Sequence, residues 1–314
     1  MKRTLKTSLG AIALLALAWC PLPASAQPGA VRGPFMQRHG QAQMGRAVDP
    51  AALPAGIRIM HDVAYGSDPL QKLDVYAPPQ ATGAPVIFMV HGGGWRRGDK
   101  TARGVVQNKV IHWVPRGIIV ISVNYPLLPQ ATPLAQARSV GKALAFAQRH
   151  ATEWGGDREK FVLMGHSAGA HLVALISAEP SLATAQGALP WLGTVALDSA
   201  AYDVAQIMQT RHFQLYDEAF GSDPAVWAAV SPAVQLHASI APFLAVCSSR
   251  RADSCTQARR FADKARTFGA RVEVLPEDMR HGVINAALGE PSAYTNAVDT
   301  FLASLDPSLA ARLR

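Results

Sequence analysis

Apolar residues in this chain fall into short continuous runs separated by longer stretches of helical periodicity. Runs of strand length occupy 85–90, 117–123, 160–164, 192–197, 243–247 and 271–275, and the first two are apolar enough to be buried on both faces of a sheet. Between them, Leu134, Ala137, Val140, Leu144 and Ala147 recur at helical spacing and predict a helix over 133–149. Further helices are expected over 170–178, 256–268 and within 292–305. Strands alternating with helices predict an α/β fold with a mostly parallel, doubly wound sheet. Two shorter runs, 57–64 and 71–76, flank the turn signal Gly66-Ser67-Asp68-Pro69 and predict an antiparallel hairpin at one edge. Segment 202–239 is longer than an ordinary connection and partly helical in pattern, which predicts a small lid insert.

The first residues follow another rule. Lys2, Arg3 and Lys6 precede an apolar stretch over 11–18 and the small-residue site Ala24-Ser25-Ala26, the layout of an export signal over 1–26. Trp19 stands where a lipidated cysteine would need a small neighbour, which argues against Cys20 as a lipid anchor. The expected organisation is therefore a signal peptide at 1–26, an irregular Gly/Pro/Gln-rich arm at 27–56 and one domain over 57–314. No later run reaches the ~18 apolar residues that span a bilayer, so the product is expected to be exported and soluble, in the periplasm or the medium.

Composition adds exclusions. Hydrophobic residues make up 49% and charged residues 17% of the 314, a globular balance. The formal charge of +8 drops to +5 once Lys2, Arg3 and Lys6 leave. The basic pairs Arg96-Arg97, Arg250-Arg251 and Arg259-Arg260 are isolated and lack interleaved aromatic residues, so no nucleic-acid stripe is expected. No metal spacing or nucleotide fingerprint occurs, and no cofactor is expected. In an oxidising compartment, Cys247 and Cys255 are expected to pair; the short loop they close is worth about 2.5 kcal/mol in the chain-entropy model.

The chemistry gathers at strand ends. Gly165-His166-Ser167-Ala168-Gly169 joins the run 160–164 to the helix 170–178, placing a serine at the tip of a strand–turn–helix unit. His91-Gly92-Gly93-Gly94-Trp95 follows the run 85–90, where consecutive glycines let backbone N–H groups approach a substrate. A serine hydroxyl is a poor nucleophile until a base takes its proton, and His281, late in the chain, is the candidate base.

With HGGGW, GHSAGAH and a late histidine in this order, the chain resembles an α/β-hydrolase esterase over roughly residues 57–305. It looks most like the HGGGW-bearing carboxylesterases, including the hormone-sensitive-lipase-like and ferulate or arylformamide hydrolase branches. The resemblance implies an α/β-hydrolase fold and a serine–acid–histidine triad that forms an acyl-enzyme, with a small ester and water as the substrates. Ser167 is then the nucleophile, His281 the base, and Gly93, Gly94 and Ala168 the oxyanion donors. Trp95 either walls the acyl pocket or packs under the loop. The acid usually follows the strand that here is 243–247, where Asp253 is the expected residue and Asp198, ending the previous strand, the alternative. The loop departs from the family's pattern, since Ser248-Ser249-Arg250-Arg251 replaces a His-Gly-like start; a Cys247–Cys255 bond would brace the loop that holds Asp253. Short acyl or aromatic esters are the expected substrates. Amide hydrolysis by the same triad and a non-catalytic binding role are the alternatives.

Overall fold

The computed structural model describes residues 46–313, all within one unit, Met36–Arg314. The expected signal segment and most of the arm, through residue 45, lie outside the described residues. Eight strands form a single sheet: β1 (Arg58–Ala64), β2 (Lys72–Ala77), β3 (Ala84–Val90), β4 (Ile119–Val123), β5 (Gly156–His166), β6 (Gly193–Leu197), β7 (Phe243–Ser248) and β8 (Val272–Glu277). Their order is β1-β2-β4-β3-β5-β6-β7-β8. β1 pairs antiparallel with β2, and β2 with β4; every other pairing is parallel. The expected α/β-hydrolase sheet, with an antiparallel N-terminal hairpin at one edge, is what the chain forms.

Helices α1 (Arg103–Trp113), α2 (Pro133–His150), α3 (Ala168–Ala178) and α4 (Ser181–Thr184) precede β6. The insert carries α5 (Val204–Met208), α6 (Gln214–Phe220), α7 (Pro224–Ala229) and α8 (Pro232–Gln235). Then come α9 (Ser254–Thr267), α10 (His281–Ala287), α11 (Ala293–Ala303) and α12 (Pro307–Leu313).

Strand periodicity decides which layer each residue serves. On β3, Val86, Phe88 and Val90 face the layer holding Val140 and Leu144 of α2 and Leu172 of α3. Ile87 and Met89 face the opposite layer, with Val106, Val110 and Trp113 of α1 and Phe301 of α11. Both faces are covered, so β3 is buried along its whole length, and each large apolar side chain contributes about 1.5–3 kcal/mol. Right-handed crossovers then bring the ends of β3, β5, β6, β7 and β8 to one edge of the sheet.

Helices α1, α4, α10 and α12 answer to none of the helical runs predicted above, and α1 and α10 pack on each other. In α1, Gln107 and Lys109 are buried beside three β-branched valines, which erases the polar face that would mark a helix. The α10 segment begins at His281, expected in a loop, and is only seven residues long. These two helices meet through Lys109, whose ammonium donates to the carbonyls of Asn285 (2.6 Å) and Gly104 (3.4 Å). Among the described residues it has no carboxylate partner, and burial pushes its pKa from 10.5 down to about 7.

This burial has a pH signature. Between about pH 7 and pH 10 the unfolded lysine holds a proton that the folded lysine has released, so stability from this site rises with pH. Comparing denaturant midpoints of wild type and Lys109→Met at pH 6.5 and 9.5 checks this. The wild type should gain relative to the variant at the higher pH, whatever the offset from the lost hydrogen bonds.

Candidate active site

Ser167 stands at the end of β5 with φ +56°, a left-handed conformation that costs about 1–3 kcal/mol for a residue with a side chain. The turn is tied down by Ser167 N–H donating to Leu197 O (3.0 Å) and by His171 N–H donating to Ser167 O (3.0 Å). Gly169 is forced by close approach: a Cβ there would lie 2.3 Å from the carbonyl oxygen of Val90 and 2.5 Å from that of His91. Gly92 plays the same part from the other side, since its Cβ would meet His166 O at 2.6 Å and the Ser167 side chain at 2.9 Å. The two motifs are thus pressed together, backbone on backbone.

His281 enters from the first turn of α10. Its Nε2 lies 2.9 Å from Ser167 Oγ, and its Nδ1 lies 2.5 Å from Asp198 Oδ2. The Nδ1–H donates to the carboxylate, which leaves Nε2 as the acceptor for the serine proton. His166 holds the other side of this imidazole. The two rings lie 4.6 Å apart, and His166 Nε2–H donates to His281 O (3.0 Å). Burial, then the adjacent His281, holds the pKa of His166 well below the usual histidine range, so His166 stays neutral.

The carboxylate facing His281 is therefore Asp198, not Asp253. Asp198 ends β6 with φ +54°, which turns its side chain inward, and it is fully buried. Its Oδ1 accepts from Ser248 N–H (2.7 Å) and from the Ser254 hydroxyl, while Oδ2 accepts from Arg251 Nη1 (3.0 Å) as well as His281. Burial alone would raise the carboxyl's pKa; the His281 hydrogen bond and the Arg251 charge outweigh it and hold the group well below the usual carboxylate range. Asp253 stands at the N-cap position of α9 without a side-chain cap bond; its side chain is 47% exposed, and its ion-pair contact is Arg251 Nε at 3.8 Å. The loop after β7 turns so that Arg251, rather than Asp253, points inward. A cue for Asp198 is present in the sequence, because it ends a buried strand as Ser167 does.

The glycine loop after β3 is braced from below. Tyr125 hydroxyl donates to His91 O (2.8 Å) with the two rings stacked at 4.6 Å, and Gln136 Nε2 donates to Trp95 O (2.8 Å). Gly93 and Gly94 adopt φ +123° and +62°. Among the described residues, the backbone N–H groups of Gly93, Gly94 and Ala168 donate to no protein acceptor. Trp95 takes the packing position: it is 3% exposed, its Nε1–H donates to His171 Nδ1 (3.1 Å), and its indole lies 4.8 Å from the Phe220 ring and 6.1 Å from that of Tyr216. His171 Nε2–H in turn donates to Val230 O (2.7 Å), and burial pushes its pKa to about 4, so this link stays neutral. The insert rests on the loop through these rings and through Leu215, which covers Gly94.

Cys247 and Cys255 are bonded. Among the described residues, no group of three His, Cys, Asp or Glu side chains is arranged to hold a metal ion, and no helix is long and apolar enough to cross a membrane.

The BD-FAE family profile matches residues 73–250, more than half of the chain, from β2 through the loop after β7. The chain belongs to the BD-FAE family. Among curated relatives, it is 28% identical over 259 residues to esterase LipQ of Mycobacterium tuberculosis, covering 77% of this chain and 61% of that protein. It is 33% identical over 117 residues to a probable isoprenylcysteine alpha-carbonyl methylesterase, ICMEL1, of Arabidopsis thaliana, covering 37% and 24%. The chain therefore spans between about a quarter and three-fifths of these relatives' lengths. Among solved structures, esterase B of Lactobacillus rhamnosis superposes with a TM-score of 0.67 at 18% identity, covering 86% of this chain and 90% of that one. Esterase 2 of Thermogutta terrifontis gives 0.64 at 21%, covering 80% and 95%. At such identities the structural likeness bears on the fold, and it agrees with the sheet described above.

The packing at Gly169 yields a stability test. Gly169→Ala drives a methyl into two carbonyl oxygens and should cost about 1–3 kcal/mol. The expected reading is a lower denaturant midpoint with an unchanged m-value.

Proposed function

We propose that this protein is an exported serine esterase that cleaves short acyl or aromatic carboxylic esters through an acyl-enzyme. The observation that carries the proposal is the hydrogen-bonded line from Asp198 through His281 to Ser167 at a strained strand end. The BD-FAE family membership and the esterase relatives support ester chemistry. The export segment read from residues 1–26 and the Cys247–Cys255 bond support an oxidising location.

In the first half-reaction, Ser167 Oγ attacks the ester carbonyl carbon while its proton passes to His281 Nε2. The carbonyl oxygen takes up negative charge and is stabilised by the N–H groups of Ala168 and of Gly93 or Gly94; one such donor is worth about 2.7–4 kcal/mol. Asp198 remains ionised and holds the imidazolium. The intermediate collapses as the imidazolium protonates the leaving alcohol, which leaves an acyl group on Ser167. Water, deprotonated by His281, repeats the sequence and frees the acid. Leu215 over Gly94 and the aromatic layer of Trp95, Tyr216 and Phe220 narrow the space beside the donors, which supports small acyl groups.

A panel of p-nitrophenyl esters from acetate to palmitate, with an aryl formamide alongside, tests the reading. Turnover should be highest at the short end, and Ser167→Ala should abolish it. Asp198→Asn should lower kcat on the order of 10³–10⁴-fold, because an amide cannot hold the charged imidazole, whereas Asp253→Asn should stay within about threefold. Hydrolysis of the formamide in preference to every ester would point to an amide hydrolase. A wild type as inert as Ser167→Ala on all of them would point to a binding protein.

A further inference from the structure

Asp198 is one half of a hydrogen-bonded pair whose remaining contacts share an origin. Apart from His281, the side-chain carboxylate of Asp198 is held by Ser248 N–H, the Ser254 hydroxyl and Arg251 Nη1. All three belong to the segment from Cys247 to Cys255, which the disulfide closes across a separation of eight residues. The Asp198 backbone is drawn to the same segment, since Arg251 Nη1 donates to Asp198 O (3.3 Å).

Arg251 is the unusual member. Its side chain is 16% exposed, and both hydrogens of Nη1 are used on Asp198. Nη1 also lies 3.0 Å from His281 Nδ1; both nitrogens donate to Oδ2, so a fixed cation stands against the imidazole. The groups facing this pair are Asp253 from the same loop, His166 from β5 and Tyr216 from the insert, whose hydroxyl Arg251 also touches electrostatically. Only Asp198 and Asp253 among these can balance its charge.

We propose that the disulfide-closed loop 247–255 is a clamp on the Asp198 carboxylate, with Arg251 as the positioning residue that fixes its Oδ2 toward His281. The clamp rests on the serine-esterase reading above. It leaves the acid outside the closed loop, yet makes the loop's covalent closure a determinant of how well that acid is aimed. A shift of the carboxylate by a fraction of its present contact distances would be felt at Ser167 through His281, since a misplacement of about 1 Å can cost on the order of 100-fold in rate.

The test uses the full exported protein on p-nitrophenyl acetate, with Ser167→Ala as the control for the parent reading. In Arg251→Met, kcat should fall roughly tenfold or more with KM nearly unchanged. Arg251→Lys, which keeps the charge but not the fork of donors, should recover only part of kcat. Independently, wild type treated with dithiothreitol until two thiols are titrated should lose about fivefold or more of kcat with its far-ultraviolet circular dichroism retained, and regain it on reoxidation. Wild-type kcat in folded Arg251→Met, or full kcat in the two-thiol protein, would overturn the clamp. If instead the untreated wild type were no more active than Ser167→Ala, the esterase reading itself would fail.

Discussion

A fully buried carboxylate persists as an anion only if the protein supplies the hydrogen bonds that water would have given. At Asp198 those bonds come from an amide at the end of β7, a guanidinium in the loop that follows, a hydroxyl at the start of α9 and an imidazole at the start of α10. The arrangement of the site depends on this anchoring. It turns the carboxylate toward His281, sets which imidazole nitrogen carries the proton, and so leaves the other free to face Ser167. A carboxylate at the surface, such as Asp253, has water to compete with and no reason to hold an imidazole in one orientation.

Backbone strain marks the same places. Among the described residues, the non-glycine residues with positive φ are Asp62, Trp95, Ser167 and Asp198, and three of these sit on loops that follow β3, β5 and β6 at one edge of the sheet. At Ser167 and Asp198 a buried strand has just ended and the chain must turn sharply to keep a side chain at the edge, while Trp95 lies within the glycine loop after β3. The cost is met by the surrounding packing: β3 and β5 are clasped between helical layers, and the glycines of the two motifs allow their backbones to touch. The rigidity of the sheet is thereby transmitted to the site.

The histidines near the site divide by environment rather than by residue type. His91, His166 and His171 are buried, and burial lowers the pKa of each, so they work as neutral hydrogen-bonding struts under the glycine loop, behind His281 and beneath the insert. His281 is the one placed between a carboxylate and a serine hydroxyl, with its side chain 24% exposed. Keeping the struts neutral avoids further positive charge beside an imidazole that already faces Arg251.

Local pattern alone determined much of this protein: the buried strands, the antiparallel hairpin, the principal helices, and the positions of Ser167 and of the glycine turn, because each is written in a short run of residue types whose geometry is local. The pairing of Cys247 with Cys255 was expected on another ground, the oxidising compartment that the export signal implies. Helix α1 was hidden because tertiary burial of Gln107 and Lys109 removes its polar face, and α10 because seven residues hold too few turns to show a period. The choice between Asp198 and Asp253 belonged to the tertiary structure. Both lie near the ends of adjacent strands, and chain order admits either. What separates them is the direction each side chain takes once β6 and β7 are side by side, when a left-handed turn buries Asp198 and a nine-residue loop sends Arg251 inward and Asp253 out to water.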